Sequence, residues 1–343
     1  MRHSLIAAVA CSLAALSTSV EAQTFQFAVD QSNTNYTWSG TTSVGNLIGN
    51  PSNTFQLSGT VDLLLGTGGN PVGDGQWTGA DMLVTPDLSG VIPNPIPGFP
   101  ALATIDVAGM RFSITSDPFT VDNAGNFTTM TTLEVTAGTL TVTPLVGAST
   151  QTDLTGTFGP PAATSGTLIR SGSMITMVSP MVTAFDFTDP ASKISATIDL
   201  VGTITAIYTC LPAANYCPLS PNSASPGSVI STTGSTFISD NAFGLSAAGA
   251  PGSKPGIFFV GPNQVSLPLG DGTRCVGGAI KRLGILISSP AGVFTQGLDM
   301  NNLPGGAAID PGVSTNFQCW FRDTAAGGAG FNLSNATEVI FCP

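Results

Sequence analysis

The sequence predicts an all-β protein made of two β-sandwich or barrel-like domains in tandem. Segments of alternating apolar and polar residues, rich in Thr and Val, recur along the chain, and clusters of Gly, Pro and Asn separate them. Alternation with a period of two places one face of a strand in a core and the other in water. No stretch after the first 22 residues shows the periodicity of a long helix.

In the upstream part, alternation is clearest at 55–63, 131–136, 138–143 and 194–200. Turn signals separate such segments, at 66–70, 122–125 and 159–161. The stretch 91–100 contains four prolines. Because proline lacks the backbone donor that a strand ladder needs, this stretch is predicted to be an extended loop.

The downstream part shows the pattern in shorter segments. Apolar runs at 255–261, 283–289 and 338–342 have the length of buried strands. About 120 residues of short strands, with turn signals every 8–12 positions, are typical of a β-sandwich or jelly roll.

The boundary between the predicted domains follows residue 209. Three prolines and two cysteines interrupt the strand pattern between 209 and 221. The charge also changes, because residues 23–209 carry 13 acidic and 3 basic side chains, whereas residues 210–343 carry 6 and 5. We therefore predict a Thr- and Gly-rich acidic β domain at 23–209 and a cysteine-containing β-sandwich at 210–343.

The first 22 residues have the features of a secretory signal peptide. A cationic start precedes an apolar run at 5–16 and a small-x-small cleavage site at Val20-Glu-Ala22. A lipoprotein signal ending at Cys11 is the alternative, but too little apolar chain precedes that cysteine. We expect a mature chain that begins at Gln23 and is secreted or held in the cell envelope, in the periplasm or at the cell surface.

The only histidine, His3, lies in the predicted leader. Ser-His-Asp and Cys-His catalysis use imidazole as the base near neutral pH, and histidine is a common zinc ligand. The mature chain is therefore expected not to be an enzyme of these classes. A glycoside hydrolase needs only two carboxylates and stays as the alternative. Its candidate carboxylates are Asp271, Asp299, Asp323 and Glu338.

Charged residues are few and mostly acidic. The predicted mature chain keeps 8 basic and 19 acidic residues, a net charge of −11. Nucleic-acid binding needs clustered Lys and Arg, so no nucleic-acid partner is expected. The apolar run of the leader is too short for a membrane span, and three Trp and three Tyr are too few for the aromatic girdles of strand-built outer-membrane proteins. We therefore predict a chain that does not span a membrane.

Five cysteines follow the leader, and all lie in the last 134 residues: Cys210, Cys217, Cys275, Cys319 and Cys342. In an exported protein such cysteines form disulfides, and the odd number leaves at least one unpaired or bonded between molecules. The spacing does not fix the connectivity. Our expectation is that Cys217 or Cys275 pairs with Cys342 and closes a long loop.

The downstream part carries an ordered series of short motifs: Asn215-Tyr-Cys217, Pro221-Asn-Ser223, Gly256-Ile-Phe-Phe-Val-Gly261, the glycine-rich 269–278 segment, Phe317-Gln-Cys-Trp-Phe-Arg-Asp323, Phe331-Asn-Leu-Ser-Asn-Ala336 and Phe341-Cys-Pro343. The series resembles a C-terminal β domain of unknown function that is found on exported bacterial proteins. The resemblance implies export and a β architecture, and it brings no reaction with it. This chain has Ser225-Pro226 where many relatives have a second early cysteine, and Cys319 where they lack one, so the disulfide pairing of that family is not carried over.

Trp320, Arg322 and Asp323 are the candidate ligand-binding residues, because an aromatic face with polar groups at its edge suits a sugar ring. Few other aromatic side chains suit such stacking: Tyr36, Trp38 and Trp77. The structural alternative is that Trp320 anchors the core while Arg322 pairs with Asp323 or Glu338.

Asp271 is a candidate calcium ligand, together with Asp74 and the 122–125 turn, since calcium binds hard oxygen ligands. The spacing of an EF-hand is missing, and the same residues commonly form turns that bond their own backbone. The glycines around Asp271 lack the βαβ frame of a dinucleotide site. They favour a tight turn pinned by a disulfide at Cys275, so no other cofactor is expected.

These features predict an exported, non-enzymatic protein with a binding or structural role at the cell surface. Glycan binding is the more specific form of this hypothesis. Its expected partner is an envelope polysaccharide, with another surface protein as the alternative.

Overall fold

The computed structural model describes residues 23–66, 72–188 and 194–343. The predicted leader, with His3 and Cys11, lies outside the described residues, as does most of the predicted turn at 66–70. In the described residues all regular structure is strand except three short 3-10 helices at Gln31–Asn33, Ile238–Asp240 and Pro304–Gly306. The predicted all-β class is confirmed. None of the described helices is long and apolar enough to cross a bilayer.

The upstream strands belong to one sheet. In chain order they are β1 Gln23–Val29, β2 Asn35–Thr42, β3 Gly45–Gly49, β4 Thr54–Leu65, β5 Asp74–Thr85, β6 Leu88–Ile92, β7 Ala103–Ser116, β8 Phe119–Thr120, β9 Asn126–Pro144, β10 Thr150–Asp153, β11 Thr157–Phe158, β12 Ala162–Ser171, β13 Met174–Thr188 and β14 Ser195–Thr209.

This 14-stranded upstream sheet closes on itself. Strand β9 pairs with β12 on one side and with β7 on the other, and pairing continues from β12 through β13, β14, β1, β4 and β5 before it returns to β7. Its apolar residues fill the enclosed core, which includes Phe27, Trp77 and Phe185. The outward positions carry mainly Thr, Ser and Asp, as the alternation in the sequence predicts.

Strand β9 merges two segments that the sequence shows separately, at 131–136 and 138–143. The pairing of β7 with β9 shifts register near Gly109, where the backbone has a φ of +61°. A β-bulge bends paired strands without ending them. Strand β9 therefore continues past this register shift as one strand of 19 residues.

The downstream strands form three smaller antiparallel sheets. In chain order they are β15 Ala214–Tyr216, β16 Val229–Gly234, β17 Phe243–Ala248, β18 Pro255–Gly261, β19 Asn263–Leu269, β20 Gly272–Gly277, β21 Lys281–Ile287, β22 Phe294–Gly297, β23 Ser314–Arg322 and β24 Phe331–Ile340. The five-stranded sheet has the order β15-β24-β23-β18-β21, the three-stranded sheet the order β16-β17-β22, and β19 and β20 form a hairpin.

The five-stranded and three-stranded sheets share a core that includes Phe258, Phe294 and Phe317. The β19–β20 hairpin packs separately against residues on the other face of the five-stranded sheet, among them Phe259 and Leu333. Both faces of that sheet are therefore partly covered.

In the downstream part, strand bounds differ from the sequence prediction at two places. The predicted strand at 283–289 begins and ends two residues earlier, as β21. The predicted strand at 338–342 begins earlier, at Phe331, and the chain leaves the ladder after Ile340. Cys342 instead forms an isolated parallel bridge with Phe237.

The two sets of sheets meet near the predicted boundary. No described sheet contains strands from both sides of residue 209. Packing nevertheless crosses it, because Cys210, Phe237 and Cys342 all belong to the core cluster of the upstream sheet. Arg170 of β12 also forms an ion pair with Asp240.

Candidate binding site

A pocket of about 410 Å³ lies on the face of the five-stranded sheet that carries the hairpin. Trp320, Ile257 and Leu333 form its floor from three adjacent strands, β23, β18 and β24. Ile257 is the register partner of Trp320 on one side, and Leu333 is its partner on the other. On the β18 side, Ile257 is paired with Ile285, whose side chain is 76% exposed, so the apolar floor continues to an open edge.

The alternation of β23 decides which residues reach this pocket. Phe317, Cys319 and Phe321 are fully buried and belong to the core between the two sheets. Since successive side chains of a strand point to opposite faces, Trp320 and Arg322 lie on the other face. Trp320 is half-buried there and Arg322 is exposed.

The indole of Trp320 is held by neighbours on both sides. Its ring centroid lies 5.6 Å from that of Phe331, with the two rings tilted by 36°. The guanidinium carbon of Arg322 lies 5.9 Å from the indole centroid, within reach of a cation–π contact. The other aromatic candidates, Tyr36, Trp38 and Trp77, are at most 3% exposed in the upstream core. Trp320 is therefore the candidate platform that a ligand can reach.

Two arginines line the pocket, Arg274 on β20 and Arg282 on β21. The two ion pairs found in the described residues join Arg111 to Asp81 and Arg170 to Asp240, so neither pocket arginine has a carboxylate partner there. The Nε atom of Arg274 is buried and has no hydrogen-bond acceptor among the residues that the structure describes. None of the described side chains that line the pocket is acidic. The site combines an aromatic floor with unpaired positive charge.

The hairpin that carries Arg274 is fixed to the sheet at two points. A disulfide joins Cys275, the next residue, to Cys217. Gln318 is fully buried on β23, accepts a hydrogen bond from the Cys275 backbone N–H at 2.9 Å and donates to the Thr273 carbonyl at 2.8 Å. The strand that carries Arg274 is therefore held in position in the absence of a ligand.

Asp323 lies apart from Trp320 and Arg322, although it follows them directly in sequence. Its side chain is fully buried and accepts hydrogen bonds from the backbone N–H of Ser223, at 2.8 Å, and from the Ser223 hydroxyl. This carboxylate fastens the loop before β16 to the end of β23. Neither Asp323 nor Glu338 pairs with Arg322, since Glu338 accepts a hydrogen bond from Ser314.

Asp271 lies in the turn between β19 and β20 and accepts a hydrogen bond from the backbone N–H of Ala329. In the 122–125 turn, Asp122 accepts from the backbone of Ala124 and Asn126 in the same way. The hydrogen bond from the Asn126 side chain, together with these backbone hydrogen bonds, holds the pKa of Asp122 below its ordinary value. Nowhere among the described residues do three or more Asp, Glu, Cys or His side chains gather as a metal site would require.

The carboxylates of the hydrolase alternative are held by separate partners. Asp299 accepts from the Asn241 side chain, whereas Asp323, Glu338 and Asp271 bond to Ser223, Ser314 and Ala329. None of the four lines the Trp320 pocket.

The cysteines form two disulfides, Cys210–Cys342 and Cys217–Cys275, and Cys319 is free and buried. The expected pairing of Cys217 or Cys275 with Cys342 is wrong. Cys342 leaves the five-stranded sheet after β24 and packs at the upstream core beside Cys210, which brings the first and last of the five cysteines together.

Of the residues at this pocket, the sequence pattern indicates Trp320 and the adjacent Arg322 as candidates but not Arg274, Arg282 or Phe331. Arg274 and Arg282 are two of only five basic residues after position 209, and that scarcity was the available signal. Profiles of known protein families, curated proteins and solved structures contain no match to this chain.

Proposed function

We propose that this chain is an exported, non-enzymatic binding protein that holds a cell-envelope glycan in the Trp320 pocket. The observation that carries the proposal is the half-buried indole on the floor of a pocket of about 410 Å³. Ligand sites commonly enclose about 300–1,000 Å³ and combine apolar walls with a few placed polar groups. A sugar ring has apolar C–H faces and polar edges, which match the indole and the surrounding guanidinium groups.

Export is supported by the predicted leader and by the two disulfides, because such bonds persist in oxidising compartments. Cys210–Cys342 and Cys217–Cys275 both tie together parts of the chain that are distant in sequence. This use is structural, and it suits a protein that acts outside the cytoplasm.

Binding without catalysis is supported by the chemistry of the pocket. Among the described residues that line it, the ionisable side chains are Arg274 and Arg282. A guanidinium stays protonated at all ordinary pH values and cannot act as a general base or acid. Arginines next to an aromatic ring serve well to orient a ligand, and they leave its bonds intact.

The test is retention of the purified, oxidised mature chain on envelope material and on insoluble polysaccharides. We expect retention of the wild-type protein and a loss of about tenfold in affinity or more for Trp320→Ala, which corresponds to at least 1.4 kcal/mol. Phe158→Ala is the matched control, because Phe158 is an exposed aromatic residue, 59% accessible, on the upstream sheet.

Intrinsic fluorescence gives a second measurement on the same samples. Trp38 and Trp77 are buried, so a bound glycan should change the emission of Trp320 alone. Trp320→Phe should abolish the change. A wild-type chain that is retained on no polysaccharide, or a Trp320→Ala variant that binds as well as wild type, would overturn the proposal.

A further inference from the structure

We infer that the Trp320 pocket selects an acidic glycan and that Arg274 and Arg282 bind its negatively charged substituent. This inference rests on the proposed function and adds the chemical class of the ligand. It depends on the charge of the pocket, whereas the proposed function depends on its aromatic floor.

The pocket concentrates positive charge in a chain that has little of it. The predicted mature chain has 8 basic residues; Arg274 and Arg282 line the pocket, and Arg322 lies beside its Trp320 ring. The chain has 19 acidic residues after the leader, yet none of the described side chains lining the pocket is acidic. Arg282 and Arg322 are exposed to water, whereas Arg274 is half-buried. A buried charge normally has a partner of opposite charge. Arg274 forms no ion pair with the described residues, and an anionic ligand would provide its partner.

Arg274 supplies an independent observation. Its Nε–H is buried, and no described group accepts a hydrogen bond from it. Buried donors in folded proteins nearly always have an acceptor, since an unsatisfied one costs about 1–3 kcal/mol. Carboxylates and tetrahedral oxyanions such as phosphate and sulfate are the acceptors that best fit the planar fork of a guanidinium group.

The strand around Arg274 is held in advance. The Cys217–Cys275 disulfide and the hydrogen bonds of Gln318 to Thr273 and Cys275 fix the residues on both sides of it. A prearranged donor loses little conformational entropy when it binds, so more of the interaction appears as affinity.

The upstream part of the chain is acidic, in contrast to the positively charged pocket. Residues 23–209 carry 13 acidic and 3 basic side chains, whereas residues 210–343 carry 6 and 5. An acidic polymer is repelled by the upstream sheet and attracted at the pocket. Because screening limits these forces to about 8 Å at physiological salt, the pocket arginines dominate once the polymer is in contact.

The experiment compares matched glycans on the oxidised mature chain, by calorimetry in buffer with EDTA so that no divalent cation bridges protein and polymer. One pair is polygalacturonate and its fully methyl-esterified form, which share a backbone and differ in charge. The other pair is dextran sulfate and dextran. We expect at least tenfold tighter binding to the charged member of one pair or both, and the preferred pair identifies carboxylate or sulfate as the substituent.

Arg282→Gln and Arg274→Gln should each remove most of that preference. Arg282 is exposed, so its variant is expected to fold even if Arg274→Gln is destabilised. Arg111→Gln is the charge-matched control, since Arg111 lies on the upstream sheet, and it should leave binding unchanged. Trp320→Ala should weaken binding to both members of a pair.

Two other outcomes separate the inference from the function on which it rests. Equal affinity for charged and neutral members, unaffected by Arg282→Gln, would overturn the inference and leave glycan binding intact. Failure of the wild-type chain to bind any glycan, neutral or charged, would overturn both.

Discussion

Cys210 and Cys342 are joined by a disulfide that spans 132 positions of the chain, with their Cα atoms 6.1 Å apart. Cys210 follows the last upstream strand, and Cys342 is the penultimate residue. The bond therefore encloses every downstream strand in one covalent loop. It lies in the upstream core with Phe237, so the end of the chain is fastened to the closed sheet rather than to its own neighbours.

Replacement of both of these cysteines by alanine should lower the free energy of unfolding by about 2–5 kcal/mol. The reason is that the open chain regains the conformational entropy that a long closed loop removes from the unfolded state. Denaturant unfolding of the oxidised protein measures this change. The Cys217→Ala/Cys275→Ala variant is the comparison, because it opens a shorter loop, of separation 58, and leaves the junction closed. An unchanged midpoint in Cys210→Ala/Cys342→Ala would contradict the prediction.

The same junction should respond to acid through Asp240. The Arg170 guanidinium donates to both oxygens of this carboxylate, at 2.7 and 2.6 Å, and lies 3.5 Å from the centroid of the Phe237 ring. Its hydrogen bonds hold the pKa of Asp240 below the ordinary value. The stabilisation is therefore complete above the unfolded-state carboxyl pKa, about 3.9, and is lost as the pH falls through the lower pKa of the folded state.

Asp240→Asn should thus lower the free energy of unfolding by about 1 kcal/mol at pH 7, with a smaller difference from wild type below pH 4 or so. Unfolding curves at several pH values give the comparison. Asp81→Asn is the control, because Asp81 pairs with Arg111 at a more exposed position and should change stability less. A difference that is the same at pH 7 and pH 3 would show that the ion pair is not its cause.

Asp323 and Arg322 are neighbours in sequence, but their substitution should affect different properties: stability for Asp323 and binding for Arg322. Asp323→Ala removes a buried carboxylate that accepts hydrogen bonds from the backbone N–H and the hydroxyl of Ser223, so the free energy of unfolding should fall by about 2–3 kcal/mol. Arg322→Ala should leave stability nearly unchanged and weaken glycan binding. Thermal unfolding and calorimetric binding on both variants test the pair. Normal stability in Asp323→Ala would mean that its hydrogen bonds to Ser223 contribute little.

The sequence predicts the strands because their signal is local. Alternation in 55–63 or 255–261 depends only on which face of one strand meets a core, and both segments lie in strands. Closure of the upstream sheet depends on the pairing of β7 with β9 and of β1 with β14. No residue type encodes those partners, so the sequence alone leaves the closure open. The sequence identifies the cysteines that form disulfides, but their pairing is mispredicted for the same reason.

The candidate site shows the same division. Alternation along β23 already places Trp320 and Arg322 on one face and Asp323 on the other, so the grouping of all three could have been corrected from sequence. Arg274 and Arg282 lie about 40 residues or more from Trp320 in the chain. The folding of the β19–β20 hairpin over the sheet brings Arg274 to the indole, and the pairing of β21 with β18 brings Arg282 there. No local pattern indicates either.

Cys319 should be unreactive in the folded protein. It is fully buried between the five-stranded and three-stranded sheets, and burial raises the pKa of its thiol well above the ordinary value. Because the thiolate is the reactive form, a thiol reagent such as 5,5′-dithiobis(2-nitrobenzoate) should label no cysteine of the oxidised native chain and one after unfolding without reductant. Rapid labelling under native conditions would show either that Cys319 is accessible or that a disulfide is open.

Gly125 and Gly172 both adopt a positive φ, +84° and +60°, but only the first is crowded. A Cβ at Gly125 would collide with the carbonyl oxygen of Leu168, whereas nothing lies within 4 Å of one at Gly172. Gly172→Ala should therefore lower the free energy of unfolding only by what alanine loses in a left-handed backbone conformation, about 1–2 kcal/mol. Gly125→Ala must in addition displace the strand that carries Leu168, whose N–H donates to the Gly125 carbonyl at 2.8 Å. Its unfolding midpoint should fall clearly below that of Gly172→Ala, and equal midpoints would mean that β12 shifts at no cost.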